Sequence, residues 1–322
     1  MKTIRLSYPH FLKQEELPET ALALGYFDGV HLGHQQVIKT AIEYAKKNGL
    51  ESAVMTFDPH PSVVLGREKK INQYITPIVE KERLIAELGV DRFYIVEFSQ
   101  EFANLLPQEF VDQYIIALHV KHICAGFDFS YGKMGKGTME TMPFHSRNQF
   151  TQTTVNKQTV CDGKKISSTY IRELIGTGDV DQLPSLLGNY YTIRGEVIDG
   201  DKRGRTIGFP TANVMPTSDF LLPTTGVYAV RIKVKAQWYN GVCNIGYKPT
   251  FNNERRVQSI EVHIFDFNEM IYGESVSVQW YKRIRSEKKF EQIADLIKQI
   301  EQDKADAISF FEKKEEQTCF LS

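Results

Sequence analysis

Apolar residues in the first 126 positions occur in short runs that alternate with amphipathic segments. Each run has the length of one buried strand, and the runs lie at residues 21–24, 52–57, 93–96 and 122–125. A one-sided apolar stripe between the first two runs predicts a helix over residues 35–47, with Val37, Ile38, Ala41, Ile42 and Ala45 on the buried side.

Two further helices are predicted in this half, over residues 77–88 and 107–119. Thr76 followed by Pro77 is a favourable helix start, because an N-cap residue precedes a proline at the first helical position. Strands that alternate with helices indicate an α/β Rossmann-like domain with a parallel sheet and right-handed crossovers. Ligands of such sheets bind at the carboxyl ends of the strands.

The pattern changes near residue 190 to closely spaced β runs separated by Gly and Asn turns. These runs predict a small antiparallel β-barrel, and they lie at residues 191–198, 227–234, 241–245, 260–265 and 275–281. A final helix is predicted over residues 288–311. The pairs Leu183-Pro184 and Gly188-Asn189 interrupt the pattern, so we predict domains at 1–186 and 187–322.

Composition narrows the class of protein. A chain of 322 residues favours two domains, and a net charge of −1 argues against a nucleic-acid or membrane partner. The four cysteines form no C-x-x-C pair, and neither a signal segment nor an apolar span is visible. We therefore expect a cytoplasmic protein with reduced cysteines. A homo-oligomer is compatible with this composition, and residues 312–317 are expected to form a solvated tail.

A candidate phosphate site follows the first predicted strand, in the turn that begins at Gly25. His31, Gly33 and His34 form a His-x-Gly-His tetrad where strand gives way to helix. Backbone amides and the helix dipole favour phosphate at such a position, and glycine permits close approach. The two imidazoles can donate hydrogen bonds to phosphate oxygens. In isolation, the pair is equally compatible with surface or metal-binding histidines.

A second segment strengthens the assignment. Ser167, Ser168 and Thr169 precede a short helix that carries Arg172, and hydroxyls with a guanidinium can hold phosphate. Alone, this segment could be an ordinary N-cap with a surface arginine. Together the two segments resemble the signatures of the class I nucleotidyltransferase superfamily.

The resemblance extends to the adenylyltransferase half of bacterial bifunctional riboflavin kinase/FAD synthetases, through residues 25–34, 57–61, 126–132 and 166–172. It implies catalytic roles for His31, His34 and Arg172. It also implies ATP binding by Gly25, Phe27, Asp28, Gly33, Ser167, Ser168 and Thr169, and flavin contacts by Phe57, Pro59 and Asp128. Phe57 could instead be a core residue, and Pro59 part of a rigid loop.

A glycine-rich basic loop over residues 200–208 follows the predicted boundary. Its three glycines and three cations suit a flap over phosphates, although its spacing differs from that of a Walker A loop. A basic hairpin is the alternative. Thr211 and Asn213 alternate along a predicted strand, so both would lie on the same face, where their oxygen atoms suit Mg²⁺. Glu261 and His263 would likewise share one face of a later strand. Taken alone, a strand glutamate is usually solvent-exposed.

Several segments resemble, in order along the chain, the riboflavin kinase module of the same family: residues 204–213, 241–246, 249–251, 261–263, 266–267 and 272–273. The resemblance to the family thus covers about residues 15–310. It implies that Glu261 is the base, that Thr211 and Asn213 bind Mg²⁺, and that Gly204, Arg205 and Gly208 bind ATP. Riboflavin, FMN and FAD would be substrates or products, with Mg²⁺ and ATP required.

Three other functions stay open at this point. The barrel could bind flavin without phosphorylating it, leaving only FMN adenylyltransferase activity. The chain could be a flavin-responsive regulator of RNA, which the near-zero net charge disfavours. It could adenylylate another phosphate ester such as phosphopantetheine, which the kinase-like barrel disfavours. Tyr26 and Cys243 stand where the family often has smaller residues.

Overall fold

The computed structural model describes residues 1–66, 71–159, 163–200, 204, 207–248 and 257–319. It comprises two compact units, Met1–Ser168 and Thr169–Ser322. Residues 169–186, which the sequence assigns to the first domain, lie in the second unit, and the domain limits 1–186 and 187–322 stay a prediction.

The first unit is built on six strands. They are β1 (Lys2–Leu6), β2 (Thr20–Leu24), β3 (Glu51–Asp58), β4 (Arg92–Glu97), β5 (Val120–Gly126) and β8 (Thr151–Val155). All pair in parallel, in the order β1-β4-β3-β2-β5-β8, which confirms the predicted α/β sheet. A separate two-stranded ribbon pairs β6 (Ser130–Tyr131) with β7 (Gly137–Thr138).

Helices of this unit connect the strands. They are α1 (Leu32–Asn48), α2 (Pro61–Val64), α3 (Ile78–Glu87), α4 (Gln100–Ala103), α5 (Pro107–Val111) and α6 (Met142–Ser146). Because the sheet is covered on both faces, the central strand β2 is buried throughout, and successive side chains enter opposite core clusters. Leu22 and Leu24 face one cluster, while Ala23 packs against the predicted stripe of α1.

Several elements differ from the sequence prediction. The helix expected from Pro77 begins at Ile78, because Pro77 has a non-helical ψ of 158° and is itself the N-cap. The amide of Thr76 donates to the carboxylate of Asp28. The helix predicted over 107–119 is α-helical only to Val111 and continues as a π-helix over Asp112–Ile116. The edge strands β1 and β8 escaped prediction because each is short and half-polar.

The second unit contains the predicted antiparallel barrel. Its strands are β9 (Thr192–Ile198), β10 (Ala212–Pro216), β11 (Gly226–Val234), β12 (Gln237–Lys248), β13 (Val257–Ile264) and β14 (Ser275–Arg285). They close in the order β10-β13-β12-β11-β14-β9. Alternate side chains fill the interior, among them Cys243, Val262 and the fully buried Trp280. Two short helices precede the barrel, α7 (Ser168–Thr177) and α8 (Pro184–Leu187).

A C-terminal helix spans Ile293–Cys319 and covers one outer face of the barrel. It begins five residues later than predicted and includes residues 312–317, the segment expected to be a solvated tail. These residues are helical, and the side chains at 312, 313, 315 and 316 are exposed. Glu315 pairs with Arg231 of β11 at 3.0 Å, and the ammonium of Lys314 lies 5.2 Å from the ring centre of Tyr190. Within the described ranges, no helix has the apolar length that a bilayer crossing requires.

A buried ion pair anchors this helix to β14. Arg285 donates two hydrogen bonds to the Asp303 carboxylate, at 2.8 and 2.7 Å, and the Asp303 side chain is 4 % exposed. A two-pronged pair of this kind is strongly oriented, and removal of one partner leaves the other charge without compensation.

We predict that Asp303→Ala lowers the free energy of unfolding of the second unit by about 3 kcal/mol, because Arg285 loses its buried partner. Urea titration followed by tryptophan fluorescence measures this unit selectively, since Trp238 and Trp280 both lie in it. Asp306→Ala, an exposed position on the same helix, is the matched control and should change stability by less than about 0.5 kcal/mol. Equal effects of the two substitutions would contradict the anchoring role.

Candidate active sites

The turn between β2 and α1, residues 25–31, has an uncommon backbone. Phe27, Gly29 and Val30 have positive φ angles of 54°, 93° and 40°. Such angles are rare for phenylalanine and for β-branched valine, so the surrounding structure must hold the turn in place. The turn lies at the carboxyl end of the central strand, where parallel sheets bind ligands.

Side chains from several elements hold this turn by its carbonyl groups. The Tyr26 carbonyl accepts from Thr56 Oγ1 at 2.7 Å and from Lys81 Nζ at 2.8 Å. The Asp28 carbonyl accepts from Ser168 Oγ at 2.7 Å, and the Val30 carbonyl accepts from Gln35 Nε2 at 3.0 Å. Because the three carbonyls are bonded to the protein, the amides of the turn and helix start are the backbone groups suited to an anion.

His31 caps the helix that follows. Its Nδ1 accepts the backbone N–H of His34 at 3.2 Å, so the ring is a side-chain N-cap of α1. A neutral imidazole that accepts at Nδ1 carries its proton at Nε2, and Nε2–H is therefore the donor available to a ligand. The amides of Leu32 and Gly33 precede the first intrahelical hydrogen bond, from Gln35 to the His31 carbonyl.

The two histidines of the tetrad do share one side of the helix start. Their rings stack with centroids 3.5 Å apart, and the Phe27 ring meets His34 edge-on at 5.3 Å. The Nδ1 atom of His34 is buried and has no hydrogen-bond partner among the described residues. A ligand that hydrogen-bonds to His34 must therefore do so at Nε2.

Burial keeps both rings neutral at physiological pH. It lowers the pKa of His31 to about 4, although the nearby carboxylate of Asp28 acts in the opposite direction. Burial also lowers the pKa of His34 well below its usual range, and the charges of His31, Lys81 and Lys165 add to the effect. The pair can thus donate hydrogen bonds without bringing positive charge.

Close packing explains two of the predicted glycines. A Cβ on Gly25 would lie 2.9 Å from the Phe27 ring, and one on Gly33 would lie 3.2 Å from the His31 ring. Phe27 itself is buried in the core, so its ring supports the turn. Asp28 is also buried, and its carboxylate accepts the Thr76 amide at 3.0 Å.

Ser168 of the Ser-Ser-Thr segment contacts the turn. Ser168 begins α7 and donates its hydroxyl hydrogen to the Asp28 carbonyl, as described above. Ser167 is half-buried, whereas Thr169 is exposed. Arg172 lies half-buried one turn further along α7, and the phosphate role that the resemblance gives it stays a prediction.

The predicted flavin residues lie in different surroundings. Phe57 is the penultimate residue of β3 and lies in the aromatic core, with its ring centre 5.7 Å from that of Phe102. Pro59 is half-buried and follows a cis peptide bond. Asp128 is exposed and pairs with Lys165 at 2.5 Å, while the Lys165 ammonium lies 4.7 Å from the centre of the Phe127 ring.

Two lysines of this site were not identified from the sequence. Lys165 is both the partner of Asp128 and one of the charges that act on the tetrad histidines. Lys81 lies on α3, where its position in the helical stripe gives no sign that its ammonium is buried beneath the turn. The only sign of its role in the sequence is that a lysine stands at a position of α3 where the helical pattern places apolar residues.

The barrel brings together a second set of polar residues. Asn213 of β10 pairs in register with Glu261 of β13, and Glu261 pairs in turn with Asn244 of β12. Directly opposed residues of antiparallel strands project to one face, so the three side chains form a row across three strands. Alternation along β13 buries Ile260 and Val262 in the barrel core, which leaves Glu261 on the opposite, half-buried face.

Glycines leave room beside this row. A Cβ on Gly200 would lie 2.2 Å from Asn213 Nδ2, and one on Gly246 would lie 3.1 Å from Glu287 Oε1. Glu287, from the segment after β14, therefore lies next to Asn244 and was not assigned a role from the sequence.

Thr211 immediately precedes β10 and is half-buried. A Cβ on Gly204 would lie 3.6 Å from Thr211 Oγ1, so this glycine borders the same site. Gly208 is exposed with a φ of 88°. His263, one face position beyond Glu261, donates from Nδ1 to the Pro210 carbonyl at 2.9 Å and so holds the chain just before Thr211. Arg205 and residues 249–251, also predicted to belong here, lie outside the described residues.

The donor set at this row suits a hard cation shared with phosphate groups. Thr211 and Asn213 offer neutral oxygen atoms beside the Glu261 carboxylate. No cluster of three or more histidine, cysteine, aspartate or glutamate residues fit for a metal occurs in the described part of the chain. This composition fits Mg²⁺, which is commonly held by few protein oxygens together with substrate phosphates.

Comparisons with known proteins cover both units. The FAD synthetase family model matches residues 13–170, and the riboflavin kinase family model matches residues 187–311. The bifunctional riboflavin kinase/FMN adenylyltransferase of Bacillus subtilis is 56 % identical over 312 residues, covering 97 % of this chain and 98 % of the relative. Its counterpart in Listeria monocytogenes is 48 % identical over 316 residues, covering 98 % and 100 %.

A solved structure is also similar over nearly the full length. It is described as a macrolide-efflux protein from Streptococcus pneumoniae, and it matches with a TM-score of 0.83 and 36 % identity. The match covers 94 % of this chain and 97 % of that one. Both units of the fold therefore occur together in an experimentally determined structure.

We predict that His31 stays neutral until the pH falls to about 4, because its ring is buried as the cap of α1. Histidine ¹⁵N NMR measures this directly, and the neutral ring should show the Nε2–H tautomer at pH 7. The His31→Asn variant identifies the resonance by its disappearance. A midpoint near the usual value of 6.5 would contradict the burial argument.

Proposed function

The chain belongs to the family of bifunctional riboflavin kinase/FMN adenylyltransferases, and we propose that it catalyses both reactions of that name. The second unit phosphorylates riboflavin to FMN with ATP, and the first unit adenylylates FMN to FAD with release of pyrophosphate. The observation that carries the proposal is the coexistence of two separate polar groups, the tetrad histidines within residues 13–170 and the row around Glu261 within residues 187–311, each in the range of its own family model.

Adenylyl transfer is an in-line displacement at phosphorus. An oxygen of the FMN phosphate attacks the α-phosphorus of ATP, the new P–O bond forms, and the bond to pyrophosphate breaks. We assign the amides of Leu32 and Gly33, with the Nε2–H groups of His31 and His34, to donate hydrogen bonds to phosphate oxygens as charge develops. Arg172 is assigned to neutralise phosphate charge.

Residues around the two histidines hold their rings and the turn in position. Gly25 and Gly33 leave space for the Phe27 and His31 rings, while Asp28 and Ser168 fix the turn to its surroundings. We assign Ser167 and Thr169 to the ATP side by the resemblance. On the flavin side, Asp128 and Pro59 are the proposed contacts, and Phe57 would support the flavin from the aromatic core.

Riboflavin phosphorylation needs a base and a held triphosphate. Glu261 is assigned to accept the proton of the ribityl 5′-hydroxyl, whose oxygen then attacks the γ-phosphorus of ATP as ADP leaves. Thr211 and Asn213 would hold Mg²⁺, and Gly204, Arg205 and Gly208 belong to the proposed ATP loop. When bound, the cation would offset phosphate charge.

Three broader assignments accompany this proposal. A cytoplasmic location is proposed from the cysteines, since Cys124 and Cys243 are free and buried. Flavins and ATP are the proposed small-molecule partners, without nucleic acid or membrane. A homo-oligomer is compatible with the proposal.

We predict that His31→Asn lowers kcat for FAD formation by about 10²–10³-fold, because the shorter asparagine places no donor at the position of the His31 Nε2–H. Asparagine is itself a good N-cap, so the start of α1 should be kept. FMN formation from riboflavin in the same sample should be unchanged when both products are separated by chromatography. His119→Asn, at a left-handed position before β5, is the matched control and should leave both rates unchanged. Loss of both activities in His31→Asn would argue against two separate sites.

A substitution in the barrel should affect FMN formation and leave FAD formation intact. Glu261→Gln should lower FMN formation by at least about 10²-fold, because the base is lost while the shape of the side chain is kept. FAD formation from supplied FMN should persist. Glu196→Gln, an exposed glutamate of β9, is the control that should leave both rates unchanged. If the unaltered chain forms FAD from FMN but no FMN from riboflavin, the barrel is not an active kinase.

A further inference from the structure

Lys81 is the only lysine or arginine that is buried among the residues that the structure describes, with 2 % of its surface exposed. It lies on α3, between the turn at residues 25–31 and the end of β3. A lysine is ordinarily placed with its ammonium in water, because transfer of the charge into the protein is unfavourable. Its burial beside a proposed phosphate site therefore requires an explanation.

The ammonium of Lys81 contacts both neighbouring segments. Its Nζ donates to the Tyr26 carbonyl at 2.8 Å and to Thr56 Oγ1 at 3.3 Å, and it lies 4.4 Å from the centre of the Tyr26 ring. Thr56 also donates to the same Tyr26 carbonyl at 2.7 Å. The carbonyl would thus have a partner without Lys81, so the need for a hydrogen bond does not account for a buried charge.

Charged and titratable groups face Lys81 from three elements. Asp28 of the turn and Asp58 of β3 raise its pKa, whereas burial, the larger effect, lowers it to about 8. From α1, His34 is sensitive to the Lys81 charge, which contributes to keeping that imidazole neutral. The Tyr26 ring completes the surroundings. At pH 7 the ammonium form prevails, and positive charge lies directly behind the turn.

We propose that Lys81 is a positioning residue for adenylyl transfer, whose ammonium fixes the phosphate-binding turn against β3 and places positive charge behind it. The inference rests on the proposed FMN adenylyltransferase activity of the first unit. A neutral side chain of similar length would fill the same space without the free-energy cost of burying a charge. We therefore infer that the function of Lys81 depends on its charge. The neutral histidines in front of the turn cannot supply that charge themselves.

The test compares Lys81→Met with Lys81→Arg in the full chain. We expect Lys81→Met to lower kcat for FAD formation on the order of 100-fold, because a displaced turn misaligns the reacting phosphates. Riboflavin phosphorylation by the second unit, measured in the same sample, should stay within about twofold and reports the integrity of that unit. Lys81→Arg should restore most of the FAD-forming rate. Lys47→Met, which removes an exposed cation from the last turn of α1 in the same unit, should leave it unchanged.

The pH profile separates charge from packing. With the unaltered chain, FAD formation should decline as pH rises through about 8, where Lys81 loses its proton. In Lys81→Arg the decline should move to higher pH, because the guanidinium stays protonated. An unchanged profile in Lys81→Arg, or a Lys81→Met rate within about twofold of the unaltered chain, would overturn the proposal. Absence of FAD formation in the unaltered chain would instead refute the underlying function.

Discussion

The first unit depends on how the backbone is held between the central strand and α1. Phe27 and Val30 adopt left-handed angles that isolated chains avoid, and side chains from β3, α1, α3 and the start of α7 bind the carbonyls of this turn. With the carbonyls bonded inside the protein, the amides at the helix start are the backbone groups suited to bind an anion. The strain of the turn is thus balanced by hydrogen bonds to its carbonyl groups.

Hydrogen-bond donation and charge are divided between different residues of this site. His31 and His34 are neutral because they are buried, and the role of His31 as a cap determines which nitrogen carries the proton. Positive charge comes instead from lysines, Lys81 behind the turn and Lys165 beside Asp128. Neutral imidazoles keep a fixed geometry across physiological pH, since neither gains a proton until the solution is acidic.

In the second unit, pairing between antiparallel strands brings the polar side chains together. Antiparallel register places Asn213, Glu261 and Asn244 side by side, although they lie far apart in the chain. Closure of the barrel fills the opposite face with apolar side chains, and the C-terminal helix covers a further outer face through Ala307 and Phe311. A rigid sheet therefore carries this row of polar side chains.

The sequence by itself determined the central strands, α1 and most strands of the barrel, together with the candidate residues that they carry. Apolar periodicity identified the central strands and α1, and the two-residue alternation of β13 separated Glu261 from the barrel core. These are local properties, set by the geometry of one strand or helix. Only the tertiary structure joined Ser168 to Asp28, placed Phe57 in the aromatic core and buried Lys81 beneath the turn. Those contacts link distant segments, so they arise from the packing of whole elements, which no local pattern specifies.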